Sequence, residues 1–105
     1  MSIRREIVES PMPQGVNESI VYTLTTTPWG SSPTSVTVTV YNTTNGAFTD
    51  VTTTVMPTNS PSVSGNVITL SPLRSLTVNN EYRVQIRFTS SGNIFEPYAK
   101  VNAEL

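Results

Sequence analysis

Two runs of strict alternation between apolar and polar residues constrain this chain more than any other feature. In Thr34–Asn42, valines at every second position alternate with threonine and tyrosine. In Glu81–Ser90, tyrosine, valine, isoleucine and phenylalanine alternate with arginine, glutamine and threonine. A two-residue period places one set of side chains on a buried sheet face and the other set on a solvated face. The chain is therefore predicted to be an all-β protein with essentially no helix.

Weaker runs between turn signals complete a prediction of seven strands. Asn-Gly, Ser-Gly and proline-containing steps cut the chain at short intervals, which is typical of a sandwich or barrel. Pro11 and Pro13 are expected to end the pairing of the first run. Asn45 and Gly46 are expected to form a tight turn, because both residue types accept positive φ. The predicted strands cover residues 3–9, 17–27, 34–42, 47–56, 67–70, 81–90 and 94–104.

Residues 1–105 are predicted to form one domain, because a chain of this length has room for a single core. The first and last strands are expected to be sheet edges, where Pro11, Pro13 and Pro97 limit uncontrolled pairing. Only one parity of each strand can face inward. The predicted core consists of Val36, Val38, Val40, Ile68, Leu70, Leu76, Val84, Ile86 and Phe88.

Missing residue types exclude most catalytic designs. The chain has no cysteine and no histidine, which removes disulfides, thiolate metal sites and the commonest general base. The seven acidic residues show no spacing that suggests a glycosidase pair or a calcium loop. The serines have no nearby histidine or lysine to activate them. We therefore expect no enzymatic activity, no cofactor and no metal site.

The charge pattern argues against nucleic-acid and membrane partners. The formal net charge is −1, only 12% of residues are charged, and the arginines are dispersed instead of forming a basic stripe. Charges at positions 4, 5, 6 and 9 interrupt any apolar run near the beginning, so no signal peptide is expected. No apolar stretch approaches the length that crosses a bilayer. We expect a protein that is made in the cytoplasm and binds neither nucleic acid nor membrane.

Residues 76–82 carry the one motif with a known structural mechanism. Leu76 lies six positions before Tyr82, and Tyr82 opens the second alternating strand. This pattern resembles the tyrosine corner of fibronectin type III and related domains, whose tyrosine hydroxyl bonds to the backbone just upstream. The resemblance implies a seven-stranded antiparallel immunoglobulin-like β-sandwich, with Leu76 at the base of the core and Tyr82 as the corner. A barrel or an open meander is the alternative architecture.

A second resemblance concerns the biological setting. Residues 26–34, with the sequence Thr-Thr-Pro-Trp-Gly-Ser-Ser-Pro-Thr, look like segments of small proteins encoded among bacteriophage structural genes. Residues 92–96, with the sequence Gly-Asn-Ile-Phe-Glu, look similar to them as well. Such proteins are typically immunoglobulin-like and attach to the head, tail or baseplate. The resemblance implies a virion component.

Three aromatic residues are candidates for a binding surface. Trp29, Tyr41 and Tyr98 combine apolar ring area with a polar edge, which suits protein docking or sugar stacking. The alternative interpretation of Trp29 is a loop side chain folded over one end of the core. Tyr41 lies opposite the valine face of its strand and is expected to be exposed or at an edge.

Two arginines complete the candidate binding residues. Arg83 and Arg87 share the outward face of one strand, because the sheet repeat is two residues. Either they contact carboxylates of a partner, or they pair with Glu96 across neighbouring strands. The function expected from all these features is a non-enzymatic structural, assembly or protein-binding module, whose partners are copies of itself or neighbouring structural proteins. A carbohydrate-binding or adhesive module is the alternative.

Overall fold

The computed structural model describes residues 5–7 and 9–105 and has nine β-strands within them. Its helical residues are a 3-10 turn at Thr44–Gly46 and a single helical turn, α1, at Thr52–Val55. The predictions of an all-β fold and of very little helix are therefore confirmed. The strands are β1 (Met12–Gly15), β2 (Thr23–Thr25), β3 (Thr34–Asn42), β4 (Thr49–Asp50), β5 (Ser62–Ser64), β6 (Val67–Thr69), β7 (Glu81–Ser90), β8 (Asn93–Phe95) and β9 (Tyr98–Glu104).

The strands form two open sheets. The larger sheet has six strands in the order β1-β9-β7-β3-β4, and β8 pairs with β7 beyond the end of β9. The smaller sheet has three strands in the order β2-β6-β5. All strand pairs are antiparallel except β1 and β9, which run parallel. Buried side chains from both sheets belong to one hydrophobic cluster, an arrangement compatible with a β-sandwich.

The alternation in the two long strands predicts the core correctly. Val38 lies opposite Ile86 and Val40 lies opposite Val84, with all four side chains buried. Ile68, Leu70, Leu76 and Phe88 are buried as well. Val36 is the exception in the predicted core, since it is only half-buried against it. The β3–β7 register shifts between Thr34 and Thr37, and Ser35 has a φ of 54°, so the strand is irregular at this point.

The predicted strand over residues 47–56 is wrong for most of its length. Only Thr49 and Asp50 pair with β3, and the chain then turns into α1. The Asp50 carboxylate accepts hydrogen bonds from the Thr52 hydroxyl at 2.7 Å and the Thr52 backbone N–H at 3.0 Å. This local turn competes with strand pairing. The same two bonds lower the pKa of Asp50 below its ordinary value, the bond from the hydroxyl contributing most.

Three other boundaries fall elsewhere, and two of these changes raise the strand count from seven to nine. Ser62–Ser64 pairs with β6 although that segment was predicted to lie between strands. The last predicted strand is divided at Glu96 and Pro97 into β8 and β9. The predicted strand over residues 17–27 contracts to β2, preceded by an isolated bridge between Ile20 and Leu73.

The beginning of the chain also pairs differently from the expectation. Residues 3, 4 and 8 of the first predicted strand lie outside the described residues, and Glu6 forms a parallel bridge with Tyr98. Met12–Gly15 pairs with β9 despite Pro13. Val16 donates its backbone N–H to Glu104, so Pro13 falls on the alternate positions whose nitrogens face away from β9. Strand β1 is a sheet edge, but it follows the first predicted strand (residues 3–9) instead of coinciding with it. Strand β9, the last strand, was expected to be an edge but lies between β1 and β7.

A buried amide joins the two sheets near this edge. The Gln14 side chain is 1% exposed, and its Nε2 donates to the backbone carbonyls of Leu73 at 2.7 Å and Glu18 at 3.2 Å. Its Oε1 accepts a hydrogen bond from the Tyr22 hydroxyl at 2.8 Å. Burial first, and the charge of Glu18 second, raise the pKa of that hydroxyl. Gln14 thus links β1, the segment before β2 and the segment after β6.

Two further features complete the fold. Asn45 and Gly46 have φ values of 59° and 82°, so the prediction of a positive-φ turn at these residues is confirmed. The described ranges 5–7 and 9–105 contain no helix that is both long enough and apolar enough to cross a membrane.

Candidate functional site

Three of the predicted binding residues meet on the outer face of the larger sheet. Arg83 in β7 lies opposite Tyr41 in β3 and opposite Lys100 in β9. Tyr98 lies opposite Gln85, two positions further along β7. The side chains of the alternate residues in these strands are buried, so the side chains of Tyr41, Arg83 and Tyr98 share the outer face. Strand register therefore joins residues that are far apart in the sequence.

The guanidinium of Arg83 is held between two aromatic rings. Its Cζ lies 3.7 Å from the ring centroid of Tyr98 and 5.4 Å from that of Phe48. The Phe48 ring meets the Tyr41 ring edge-on, with centroids 5.7 Å apart and an interplanar angle of 68°. Each cation–π contact contributes about 0.5–1 kcal/mol where water is present, and more where it is excluded. We call Tyr41, Phe48, Arg83 and Tyr98 the aromatic–arginine face.

Burial differs sharply within the aromatic–arginine face. Phe48 is 61% exposed, whereas Tyr41, Arg83 and Tyr98 are half-buried. Arg83 Nε is buried and has no hydrogen-bond partner among the described residues. Because the Tyr98 ring stacks on the guanidinium, that nitrogen is shielded from water by the ring. The face thus presents a fixed arginine next to an exposed phenylalanine.

A small polar cleft adjoins the aromatic–arginine face. It has a volume of about 240 Å³ and is lined by Phe48, Arg83 and Tyr98 together with Glu81 and Lys100. The Glu81 carboxylate accepts a hydrogen bond from the Thr43 hydroxyl at 2.9 Å, which fixes its position. The cleft therefore offers one carboxylate and one ammonium group beside the rings.

Arg87 and Glu96 behave differently from the prediction. Arg87 is exposed on the same strand, opposite Thr37, and is not part of the ring stack. The Glu96 carboxylate accepts a hydrogen bond from Gln85 Nε2 at 3.3 Å, and the described residues contain no ion pair between Glu96 and either Arg83 or Arg87. Arg83 instead stacks on Tyr98. The expected cross-strand pairing with Glu96 is therefore wrong.

Phe48 is the functional candidate that sequence reasoning missed. It follows the Asn45-Gly46 turn in a segment of small and polar residues and was read as part of a strand. The structure places it in the connection before β4, where its side chain covers Arg83. A large aromatic residue beside a hairpin turn, among threonines, was the available signal.

Trp29 lies away from the aromatic–arginine face. It occupies the turn after β2, where its backbone N–H donates to the Thr26 carbonyl at 2.8 Å. Its half-buried side chain packs against the hydrophobic core. The ring also lines a cavity of about 620 Å³ whose walls include Val84 and Val101, and these residues face inward from the larger sheet.

The remaining candidates for a site are a metal-binding group and the Leu76–Tyr82 motif. No group of three or more acidic side chains within residues 5–7 and 9–105 is placed to hold a metal ion. Tyr82 and Leu76 are buried, and the Tyr82 hydroxyl accepts a hydrogen bond from the Thr77 backbone N–H at 2.9 Å.

Comparison of the chain with protein-family models, with curated proteins and with solved structures found no match.

Proposed function

We propose that this chain is a non-enzymatic assembly or protein-binding module and that the aromatic–arginine face is its contact surface. The observation that carries the proposal is Arg83 stacked between the rings of Tyr98 and Phe48, with Phe48 61% exposed. Arginine and aromatic side chains are enriched at the energetic centres of protein interfaces. A stacked arginine has already lost much of its rotamer freedom, so binding costs less entropy.

An immunoglobulin-like sandwich is the architecture that we propose for this module. Strands β2, β6 and β5 correspond in order to the B, E and D strands of that fold, and β3, β7 and β9 correspond to its C, F and G strands. The hydrogen bond between Tyr82 and Thr77 supports a tyrosine corner at the start of the F strand. The parallel pairing of β1 with β9 and the very short β4 are departures from the simplest form of the fold.

The partners that we propose are copies of this chain or neighbouring structural proteins. The setting that we propose is a bacteriophage particle, on the sequence resemblance of residues 26–34 and 92–96. The aromatic–arginine face lies on a sheet surface beside a cleft of only about 240 Å³, which favours contact with another protein surface over enclosure of a small ligand.

Sedimentation equilibrium combined with co-purification from the native source tests the proposal. The parent chain is expected to associate with itself or with identified neighbouring structural proteins. Phe48→Ala is expected to raise the dissociation constant about tenfold, since it removes an interfacial aromatic anchor. Arg87→Ala is the matched control, because Arg87 is exposed on β7 outside the ring stack. Its effect is expected to stay below about twofold.

Two outcomes contradict the proposal. A parent chain that stays monomeric and recovers no structural protein leaves the face without a partner. If Phe48→Ala and Arg87→Ala weaken association equally, the ring stack is not the contact surface. Glycan binding by the parent that is lost in Trp29→Ala would instead favour the adhesive module.

A further inference from the structure

Within residues 5–7 and 9–105, the outer edge of β2 has backbone groups without a partner. The Tyr22 carbonyl accepts a hydrogen bond from the Leu70 N–H at 2.9 Å, and the Thr26 N–H donates to the Asn66 carbonyl at 2.8 Å. In this antiparallel register, the N–H and C=O groups of Thr23 and Thr25 point away from β6. The smaller sheet ends at β2, and no backbone partner of Thr23 or Thr25 occurs in the described part of the chain.

A largely apolar cavity lies directly beside this edge. Its volume is about 620 Å³, and its lining includes the four consecutive residues at positions 22–25. Its walls include Leu24 of β2 and Leu70, which follows β6. The larger sheet contributes Val84, Ile86 and Val101. The cavity therefore opens between the two sheets along β2, whose outer backbone groups have no partner among the described residues. Its volume lies within the range of ligand-binding sites in proteins.

The side chains along the edge do not block the approach of another strand. Natural sheets usually protect an open edge with lysine, proline or a strong bulge. The outward-pointing residues here are Val21, Thr23 and Thr25, and all three are exposed and uncharged. Strand β2 itself contains no proline, and Pro28 follows its end.

The free backbone groups and the length of the edge identify the kind of occupant. A small apolar molecule would fill the cavity and leave the groups of Thr23 and Thr25 unpaired. A second folded copy would contribute an edge of only three residues, about 10 Å long. Such a contact is far smaller than the roughly 800 Å² per partner that stable complexes of folded proteins bury. An extended tail satisfies the backbone groups and fills the cavity with its side chains.

The charge of the cavity lining specifies the tail further. Glu9 is the one charged residue among those that line the cavity in the described chain. Its side chain is exposed, so it is available to a basic group on the bound segment. An extended segment must place apolar side chains at alternate positions to meet Leu24 and Ile86.

We propose that the open edge of β2 binds an extended tail of a partner protein by strand addition. The tail carries apolar residues at alternate positions, which enter the cavity, and a lysine or arginine beside Glu9. Backbone hydrogen bonds to Thr23 and Thr25 provide affinity, and the cavity selects the side chains. This site is separate from the aromatic–arginine face, because its walls are the inward side of the larger sheet.

Selection from a random heptapeptide library displayed on a carrier tests the proposal with the purified full chain. The selected peptides are expected to share alternating apolar residues and one basic residue. On binding, the amides of Thr23 and Thr25 are expected to become protected in hydrogen-exchange NMR. Failure to enrich any such pattern, or binding without protection of these two amides, overturns the proposal.

Matched variants separate strand addition from other modes of binding. A selected peptide N-methylated at alternate pairing positions is expected to bind about tenfold more weakly, because it cannot donate to the edge. Both peptides are measured against the same unmodified protein, so a folding defect cannot cause the difference in affinity. Equal binding of the methylated peptide contradicts strand addition and identifies a cavity for apolar ligands instead.

Two protein variants complete the test. Glu9→Gln is expected to lower the affinity for the selected peptide about threefold. Added salt is expected to reduce this difference between the parent and the variant. Phe48→Ala is expected to leave peptide affinity unchanged, because Phe48 belongs to the aromatic–arginine face. A loss of peptide binding in Phe48→Ala would contradict the separation of the two sites. Protection of Thr23 and Thr25 that rises with protein concentration alone would mean that a second copy occupies the edge.

Discussion

Tyr82→Phe removes the hydroxyl that accepts a hydrogen bond from the segment before β7. The Tyr82 side chain is 3% exposed, and its Oη accepts the Thr77 backbone N–H at 2.9 Å. The motif predicts a hydrogen bond between this hydroxyl and the upstream backbone, and in the structure the backbone N–H is the donor. Phenylalanine fills nearly the same space, so the substitution tests the hydrogen bond and not the packing.

The expected loss in the free energy of unfolding depends on whether the Thr77 N–H finds another hydrogen-bond partner. A typical hydrogen bond contributes about 0.5–1.5 kcal/mol, and leaving a buried donor unpaired costs about 1–3 kcal/mol. The Thr77 residue is exposed, so water reaches part of the freed N–H. We therefore expect Tyr82→Phe to lower the free energy of unfolding by about 1 kcal/mol. For a domain of this size, that loss corresponds to roughly 4–8 °C in melting temperature.

Urea denaturation followed by tryptophan fluorescence measures this loss. Trp29 is the single tryptophan and packs against the core, so its emission reports on unfolding. Tyr41→Phe is the matched control, because no hydrogen bond of the Tyr41 hydroxyl occurs among the described residues, and its change is expected to stay within about 0.5 kcal/mol. The denaturant slope should be unchanged in both variants. Equal midpoints for Tyr82→Phe and Tyr41→Phe would show that the hydrogen bond between Tyr82 and Thr77 does not stabilise the fold.

Three other substitutions test the fold. Leu76→Ala is expected to cost about 2–4 kcal/mol in a urea titration, because it leaves a cavity at a buried site; a cost below that of Tyr82→Phe would contradict this. Gln14→Leu and Tyr22→Phe are expected to be non-additive, with a coupling of about 1 kcal/mol in a double-mutant cycle, because each removes the other's partner; additivity would contradict it. The pKa of Asp50 is lowered in the folded state, so its contribution to stability is present above the ordinary pKa of an aspartate and lost as the pH falls through the lowered pKa. Asp50→Asn should therefore flatten the fall in urea midpoint between about pH 5 and pH 2, and an unchanged pH profile would contradict it.

The regular part of the fold was predictable because alternation is a strong local signal. Val38, Val40, Val84 and Ile86 are buried as their parity requires, and β3 and β7 pair through them. The other elements depend on contacts that no local pattern records. Strand β4 is short because Thr52 bonds to Asp50, and β1 tolerates Pro13 because it lies at an edge.

The candidate site was predictable only as separate residues. Tyr41, Arg83 and Tyr98 were each candidates from residue type and strand parity, but their meeting depends on the register of three strands. Phe48 was missed because it falls within the strand predicted over residues 47–56, whose apolar positions were expected further along the segment. Gln14 gave no signal, because a glutamine between a proline and a glycine suggests a solvated turn, whereas its amide is fully buried.

Site-specific photo-crosslinking in the native source tests whether the aromatic–arginine face contacts another protein. A photoreactive benzoyl-phenylalanine replaces Phe48 in one variant and Arg87 in a second, and a third carries it at Val63, which is exposed on the smaller sheet. Position 48 is expected to crosslink to another copy of the chain or to a neighbouring structural protein. Position 87 should react more weakly, and position 63 should not react. Equal crosslinking at all three positions, or crosslinking at position 63 alone, would contradict the aromatic–arginine face as the contact surface.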